Sequence, residues 1–344
     1  MRGITGALLV AAAIAPPAAA QSGLADLAAY AGADRTTRLI EGAKKEGAVT
    51  VYGSTPVEDM ALIIAAFEAK YGLKVRLWRG GPEDLLRRGV TELRAGRNEV
   101  DILDTNISTV EALRREQLYQ KVISPAHADL APALVYGHGE YVGTRLNIII
   151  AGYNTNAIRK ADLPEDYDDL RDPRWKGKLA WEQSDYDWFA TVAKSMGEAK
   201  AIETFRAIAT TNGISVRNGH TLLSNLVVAG ETPFSLNVFH YRVEQLARRG
   251  APIAPLVIAP AVGRPNGVGV ARKAPHPHAA LLWYDFMLTD AQVILRDRDF
   301  TPANQRVQQL PDIDLRIIDP TQLLDEGDKW SRLFKEIGQL KPAR

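Results

Sequence analysis

Tyr141-Val142-Gly143-Thr144-Arg145-Leu146-Asn147-Ile148-Ile149-Ile150-Ala151-Gly152-Tyr153-Asn154 lies near the middle of the 344-residue chain. Its β-branched and aromatic side chains suit an extended strand. Gly152-Tyr153-Asn154-Thr155 closes it with a turn signal. On either side the same rhythm recurs: a short apolar strand, a polar turn, an amphipathic helix. A long strand joining two such halves is what a two-lobed protein with a hinge requires, although a core strand of a single domain reads the same way.

Before this strand, a helix is expected over 24–45, then a strand at Ala48-Val49-Thr50-Val51-Tyr52. A helix over 57–71 follows, with Met60, Ile63, Ile64 and Phe67 on one face and Gly72 as its stop. Strands over 73–78 and 100–103 flank a helix that starts at Pro82. After the central strand come a strand at Leu179-Ala180-Trp181, helices over 187–195, 198–209 and 221–229, a strand over 234–238 and a helix over 239–249. A short strand at Val268-Gly269-Val270 and helices over 277–288 and 290–298 complete the pattern. Strand–helix–strand units at this spacing imply parallel pairing with right-handed crossovers.

Arg2, the apolar run Ala7 to Ala15 and the small-residue site Ala18-Ala19-Ala20-Gln21 have the form of a secretory signal. Residues 1–20 are expected to be cleaved. No cysteine follows, so no lipid anchor is expected and the mature protein should be free in a periplasm. The absence of cysteine also excludes disulfides and thiolate metal sites. With 42 basic and 41 acidic residues, the net charge of +1 gives no support for nucleic acid as a partner.

Several stretches then read together. They are Val49-Thr50-Val51-Tyr52, Asp101-Ile102-Leu103-Asp104, Tyr153-Asn154-Thr155, Asp172-Pro173-Arg174-Trp175-Lys176-Gly177-Lys178, Val228-Ala229-Gly230-Glu231, Gly250-Ala251-Pro252-Ile253 and Ala274-Pro275-His276-Pro277. In this order and spacing the chain resembles the ferric-type (family 1) extracellular solute-binding proteins of bacterial ABC importers. The resemblance implies an α/β, two-lobed periplasmic-binding-protein fold of type II kind. Each lobe would be a mainly parallel sheet flanked by helices, with the ligand in the cleft between them. It places a second crossing near 256–260. The first lobe would then take residues 21–150 and about 260–310, and the second residues 151–259 and about 311–344. A monomer that closes about a hinge on its small-molecule ligand and delivers it to the membrane permease is the implied function.

In such a fold the ligand meets strand ends and helix N-termini, where free N–H groups favour anions. The candidates are Ser54 and Thr55 after the first strand, and Asp104, Thr105 and Asn106 after the third. Arg145 lies on the crossing strand, where a guanidinium takes a carboxylate or phosphate; Asp104 or Glu140 is its internal alternative. Gln183, Ser184 and Asp185 follow Trp181. Gly219, His220 and Thr221 open a helix, with Thr221 as its expected cap. Asn237, Phe239, His240 and Tyr241 follow the last strand of the second lobe. Ser, Thr, Asp and Asn at helix starts also serve as plain caps.

Iron(III) is a hard ion that prefers anionic oxygen. The family's iron binders carry a histidine after the first strand, a glutamate after the third and two adjacent tyrosines near the last. The matching places here hold Thr55-Pro56, Asn106 and Phe239-His240-Tyr241, so only Tyr241 and His240 could coordinate. The first reading is therefore a small anionic organic solute. The alternative is Fe3+ or a ferric chelate, with an accompanying anion supplying the missing ligands. No resident cofactor is expected. Trp181, Tyr186, Trp188 and Phe239 are candidates for stacking or for core, and His276-Pro277-His278 reads as solvated rather than as a metal pair. No nucleophile elbow, metalloprotease helix, phosphate loop or dinucleotide fingerprint is present. Asp185 and Asp187, two apart, should point different ways and make a poor acid/base pair. A periplasmic hydrolase is the alternative from another class.

Overall fold

A computed structural model describes the backbone of residues 18–342, with side chains from residue 23 onward. The expected signal lies almost wholly outside the described residues. Strands β1 (Ala48–Gly53), β2 (Lys74–Arg79) and β3 (Ile102–Asn106) are parallel neighbours, with β1 in the middle. Helices α1 (Ala18–Ala29), α2 (Arg35–Glu46), α3 (Val57–Tyr71), α4 (Pro82–Arg94) and α5 (Ile107–Arg115) accompany them. The chain then passes through the two-residue strand β4 (Tyr119–Gln120) into β5 (Val142–Asn154), which is buried over its whole length.

The second half runs β6 (Leu179–Glu182), α6 (Tyr186–Met196), α7 (Glu198–Asn212), β7 (Ser215–Arg217), α8 (His220–Ala229), β8 (Phe234–Phe239), α9 (His240–Arg248) and β9 (Ile253–Leu256). Strand β10 (Ala261–Ala271) leads back, followed by α10 (Pro277–Leu288), α11 (Asp290–Asp297), β11 (Thr301–Pro302), β12 (Leu315–Ile317) and α12 (Pro320–Gln339). The strand order is β2-β1-β3-β10-β5-β8-β6-β7.

The central strand changes partners along its length. From Val142 to Ile149 it pairs with β10, and from Ile149 to Asn154 with β8 and β9, all antiparallel. Beyond it, β6 is parallel to both β8 and β7. Two parallel α/β sheets thus meet on one strand, with β10 as the returning partner. One core gathers Val49, Val51, Ile63 and Phe67 under Trp283 and Phe286 of α10. The other packs Trp181, Trp188, Phe189 and Phe205 against Trp330 and Phe334 of α12. Trp181 and Trp188 are therefore core, 1% exposed each.

Some expectations are corrected. The single helix over 24–45 is two, α1 and α2, because Arg35 turns back to bond the carbonyls of Leu27 and Tyr30 and to pair with Asp285. α12 is not among the expected elements. Asp319 nevertheless caps its start, and Leu323, Trp330, Phe334 and Ile337 mark its buried face. The pair His276 and His278 diverges to separate acids, His276 Nδ1 to Asp101 at 2.9 Å and His278 Nδ1 to Glu46 at 2.7 Å, so neither histidine is merely solvated.

Candidate ligand site

In open α/β sheets ligands gather at the carboxyl ends of parallel strands, and the candidate residues sit there in both lobes. On the first lobe Thr55 follows β1, and its Oγ1 accepts from Arg145 Nη2 at 2.8 Å. Thr105 Oγ1 donates to Ser54 Oγ at 2.9 Å. Asp104 is fully buried, with Arg145 Nη1 3.7 Å from its Oδ1. Burial pushes its carboxyl above the usual range, against the pull of Arg145 and Asn266. Asn106 is a plain cap, its Oδ1 accepting from Thr109 N at 2.9 Å to start α5. Of the two internal acids considered for Arg145, Asp104 is the neighbour. Glu140 instead faces Arg114 and Arg272.

On the second lobe the turn after β6 is organised by Glu182. Its Oε1 accepts from Gly219 N at 2.9 Å, and its Oε2 from Ser184 N at 2.7 Å and Ser184 Oγ at 2.6 Å. Asn237 Oδ1 accepts from Glu182 N at 2.7 Å, so Asn237 is committed to joining β8 to β6. Gln183 and Ser184 are exposed, and so is Thr221. Thr221 is not the cap of α8: the helix starts one residue earlier, with Gly219 in the cap position at φ 97°.

Only glycine holds that φ without strain. Gly219→Ala is expected to cost roughly 1–2 kcal/mol and to displace His220. Thermal unfolding checks this; an unchanged melting temperature contradicts it.

His220 stacks on Phe239 with ring centroids 3.7 Å apart, and its Nε2 lies 3.2 Å from Asp185 Oδ1. Asp185 and Asp187 do converge, contrary to the expectation from their spacing. A turn precedes α6, so strand or helix alternation does not apply between them. Both meet Arg264 of β10: Nη2 donates to Asp185 Oδ1 at 2.7 Å and Nε to Asp187 Oδ2 at 2.7 Å. Burial pushes Asp185 up, but Arg264 and His220 outweigh it and hold the carboxyl low, at about 2. Burial and the Asp185 charge push Asp187 up in spite of Arg264.

Register joins the two clusters. Across β5 and β10, Arg145 faces Asn266 and Asn147 faces Arg264. The four polar side chains occupy one face of the ribbon, and Asn147 Nδ2 donates to Asn266 Oδ1 at 2.8 Å. Above this floor runs an aromatic chain. Arg145 lies over Phe300, Phe300 packs on Tyr241, Tyr241 stacks on Phe239, and Phe239 stacks on His220. Burial pushes the Tyr241 phenol up to about 12. His240 leaves the cluster at the start of α9, beside Glu244 at 3.6 Å. Two surface cavities of about 410 and 430 Å³ lie elsewhere, one beside α6 and α12 and one over β1 and β2.

Asn147, Glu182, Arg264 and Asn266 are site residues that the sequence reading does not name. Asn147 had a signal: two positions after Arg145 on a strand, it must share that face. Asn266 and Arg264 had none without the register.

Asp185, His220 and Glu182 each bring one possible ligand atom within 4.8 Å of the others. Both Glu182 oxygens already accept hydrogen bonds, and Asp185 Oδ1 is shared by Arg264 and His220. Asp185 Oδ2 and His220 Nδ1 are buried and have no partner among the described residues.

The model of the family described as bacterial extracellular solute-binding protein matches residues 99–316. The Fe(3+)-binding periplasmic protein of Serratia marcescens is 24% identical over 204 residues, covering 58% of this chain and 59% of that relative's own length. Iron uptake protein A1 of Synechocystis is 23% identical over 272 residues, 73% of this chain and 74% of the relative. Among solved structures, iron-bound HitA from Pseudomonas aeruginosa superposes with a TM-score of 0.72 at 21% identity, over 85% of this chain and 99% of that one. With two α/β sheets meeting on β5, polar residues gathered at their strand ends and the family model spanning the ribbon, the chain belongs to the bacterial extracellular solute-binding proteins.

Proposed function

We propose that this protein is the periplasmic substrate-binding component of an ABC importer, handing its cargo to a membrane permease, and that the cargo is ferric iron carried with an anion. The observation that carries the reading is the Asp185–His220–Glu182 donor group at the strand ends, beside the Arg145 floor. Both curated relatives are named for iron, which reverses the order of the two readings drawn from sequence.

The donor set suits an anionic ferric complex rather than the bare ion. A hard trivalent cation seeks anionic oxygen. Here Glu182 is committed, Arg264 already neutralises Asp185, and Tyr241 is the one phenol in the aromatic chain. Asp185 Oδ2 and His220 Nδ1 remain, so further ligands must come from the anion, whose charge Arg145 offsets, Arg264 being already paired with two carboxylates. Arg145, with two unpartnered nitrogens, equally favours the second reading, an organic anion without iron.

The test is to load purified protein with ferric citrate, remove excess, and measure iron content and visible absorption. Near-equimolar iron that is lost in Asp185→Asn and His220→Ala supports the reading. Protein that retains no iron at saturating load, yet binds citrate alone, overturns it in favour of the organic anion.

The lobe limits belong to the same proposal: residues 21–150 with about 260–310, and 151–259 with about 311–344. The partner change of β5 at Ile149 supports the first boundary, and the packing of α11 on α3 and of β11 on β5 supports returning 260–310 to the first lobe.

A further inference from the structure

Arg145 and Asp104 form a pair that is left incomplete. Arg145 is 2% exposed and Asp104 is 0% exposed. One guanidinium nitrogen, Nη2, donates to Thr55; Nε and Nη1 have no hydrogen-bond partner among the described residues. Neither Asp104 oxygen has one either, since Arg145 Nη1 at 3.7 Å is beyond hydrogen-bond reach. Buried polar atoms are normally paired, and leaving charged ones unpaired is costly.

We propose that this pair recognises an oxyanion bearing a neighbouring hydroxyl: Arg145 takes the oxyanion and Asp104 takes the hydroxyl hydrogen. The proposal rests on the strand-end cluster being the cargo site and narrows the class of the anion. A plain oxyanion satisfies Arg145 but sets a like charge beside Asp104. A lone cation satisfies Asp104 and repels Arg145. A hydroxylated oxyanion satisfies both with no net change of charge at Asp104. Asn147 Oδ1 on the same floor is a second acceptor without a partner, which calls for a further donor on the ligand. The other groups around Asp104 do not remove the demand: Asn266 lies close and stabilises the carboxylate, and Tyr119, which senses its charge, has an unpartnered hydroxyl of its own.

Hydroxycarboxylates and sugar-type phosphates share this chemistry, and paired probes separate them. Calorimetry on iron-stripped protein would compare citrate with tricarballylate, and 2-hydroxypropyl phosphate with propyl phosphate, each pair differing by one hydroxyl. In one pair the hydroxylated member is expected to bind at least about a hundredfold tighter, since a site built to bond a hydroxyl rejects the analogue lacking it. Asp104→Asn, close to isosteric and free of the buried charge, should shrink that ratio about tenfold while keeping the circular-dichroism melt, because charged acceptors bond roughly twice as strongly as neutral ones. Equal binding within both pairs overturns the proposal. So does binding of no probe by protein that still takes up iron from ferric nitrilotriacetate, a result that leaves the ferric reading standing. Selective binding of a hydroxylated probe by protein that never retains iron upholds this proposal and removes the ferric one.

Discussion

Arg264→Met is expected to destabilise the protein by about 3–5 kcal/mol, the usual cost of removing one partner of a buried ion pair. Arg264 is 7% exposed and serves two buried carboxylates at the start of α6, Asp185 and Asp187. Without it both are left in a low-dielectric setting with His220 as the nearest remaining base. The pH dependence gives the result its signature. In the wild type Asp185 is held below its unfolded value, so its contribution is present above roughly pH 4 and is lost as pH falls toward the folded value of about 2. In the variant burial raises both carboxyls above their unfolded values. Their protonated forms then favour the folded state, and that contribution is lost as pH rises through the raised values. The deficit of the variant should therefore be largest near neutrality and shrink toward pH 4. Urea unfolding at several pH values measures it; a deficit that stays below about 1 kcal/mol, or does not change with pH, contradicts the assignment of Arg264 as the shared cation.

Arg145→Met should act on affinity, with a loss of roughly 2–5 kcal/mol for the cargo anion. Methionine keeps an unbranched apolar stem and removes the donors together with the guanidinium that lies over Phe300. The same change strands Asp104, which answers by taking up a proton, because burial already pushes it up. Stability and affinity can be separated by adding Asp104→Asn. The double variant removes the stranded acid and should regain most of the lost melting temperature, while affinity stays low. If the Arg145 variant is destabilised yet binds iron and anions as the wild type does, its partners are internal, Thr55 and Asp104, and Arg145 leaves the site.

Much of the architecture is local and so was readable in order along the chain. The β-branched run from Val142 to Asn154, the apolar spacing of Met60, Ile63 and Phe67, and the glycine stop at Gly72 each depend on neighbours a few residues away. The same is true of the turns that carry Thr55 and Asp185 and of the helix start at His220, whereas Asp104, expected after the third strand, lies within β3. The expected caps divided as local chemistry allows. Asn106 caps α5 through its own side chain, whereas Thr221 does not cap α8, because Gly219 supplies a backbone angle that moves the start by one residue.

What the chain order could not reveal was which strand lies beside which, and in what register. Arg145 stood out as an arginine on a long apolar strand, but its companions come from elsewhere: Asn266 faces it across the ribbon and Arg264 faces Asn147. The convergence of Asp185 and Asp187 on Arg264 is likewise a contact between segments some 80 residues apart. A strand's own sequence determines which of its side chains share a face, since that alternation is a property of one backbone. The partner strand and its register are set by burial summed over the whole sheet, where a one-residue slip would turn Arg264 and Asn266 away from the floor and put Pro265 and Gly267 in their place.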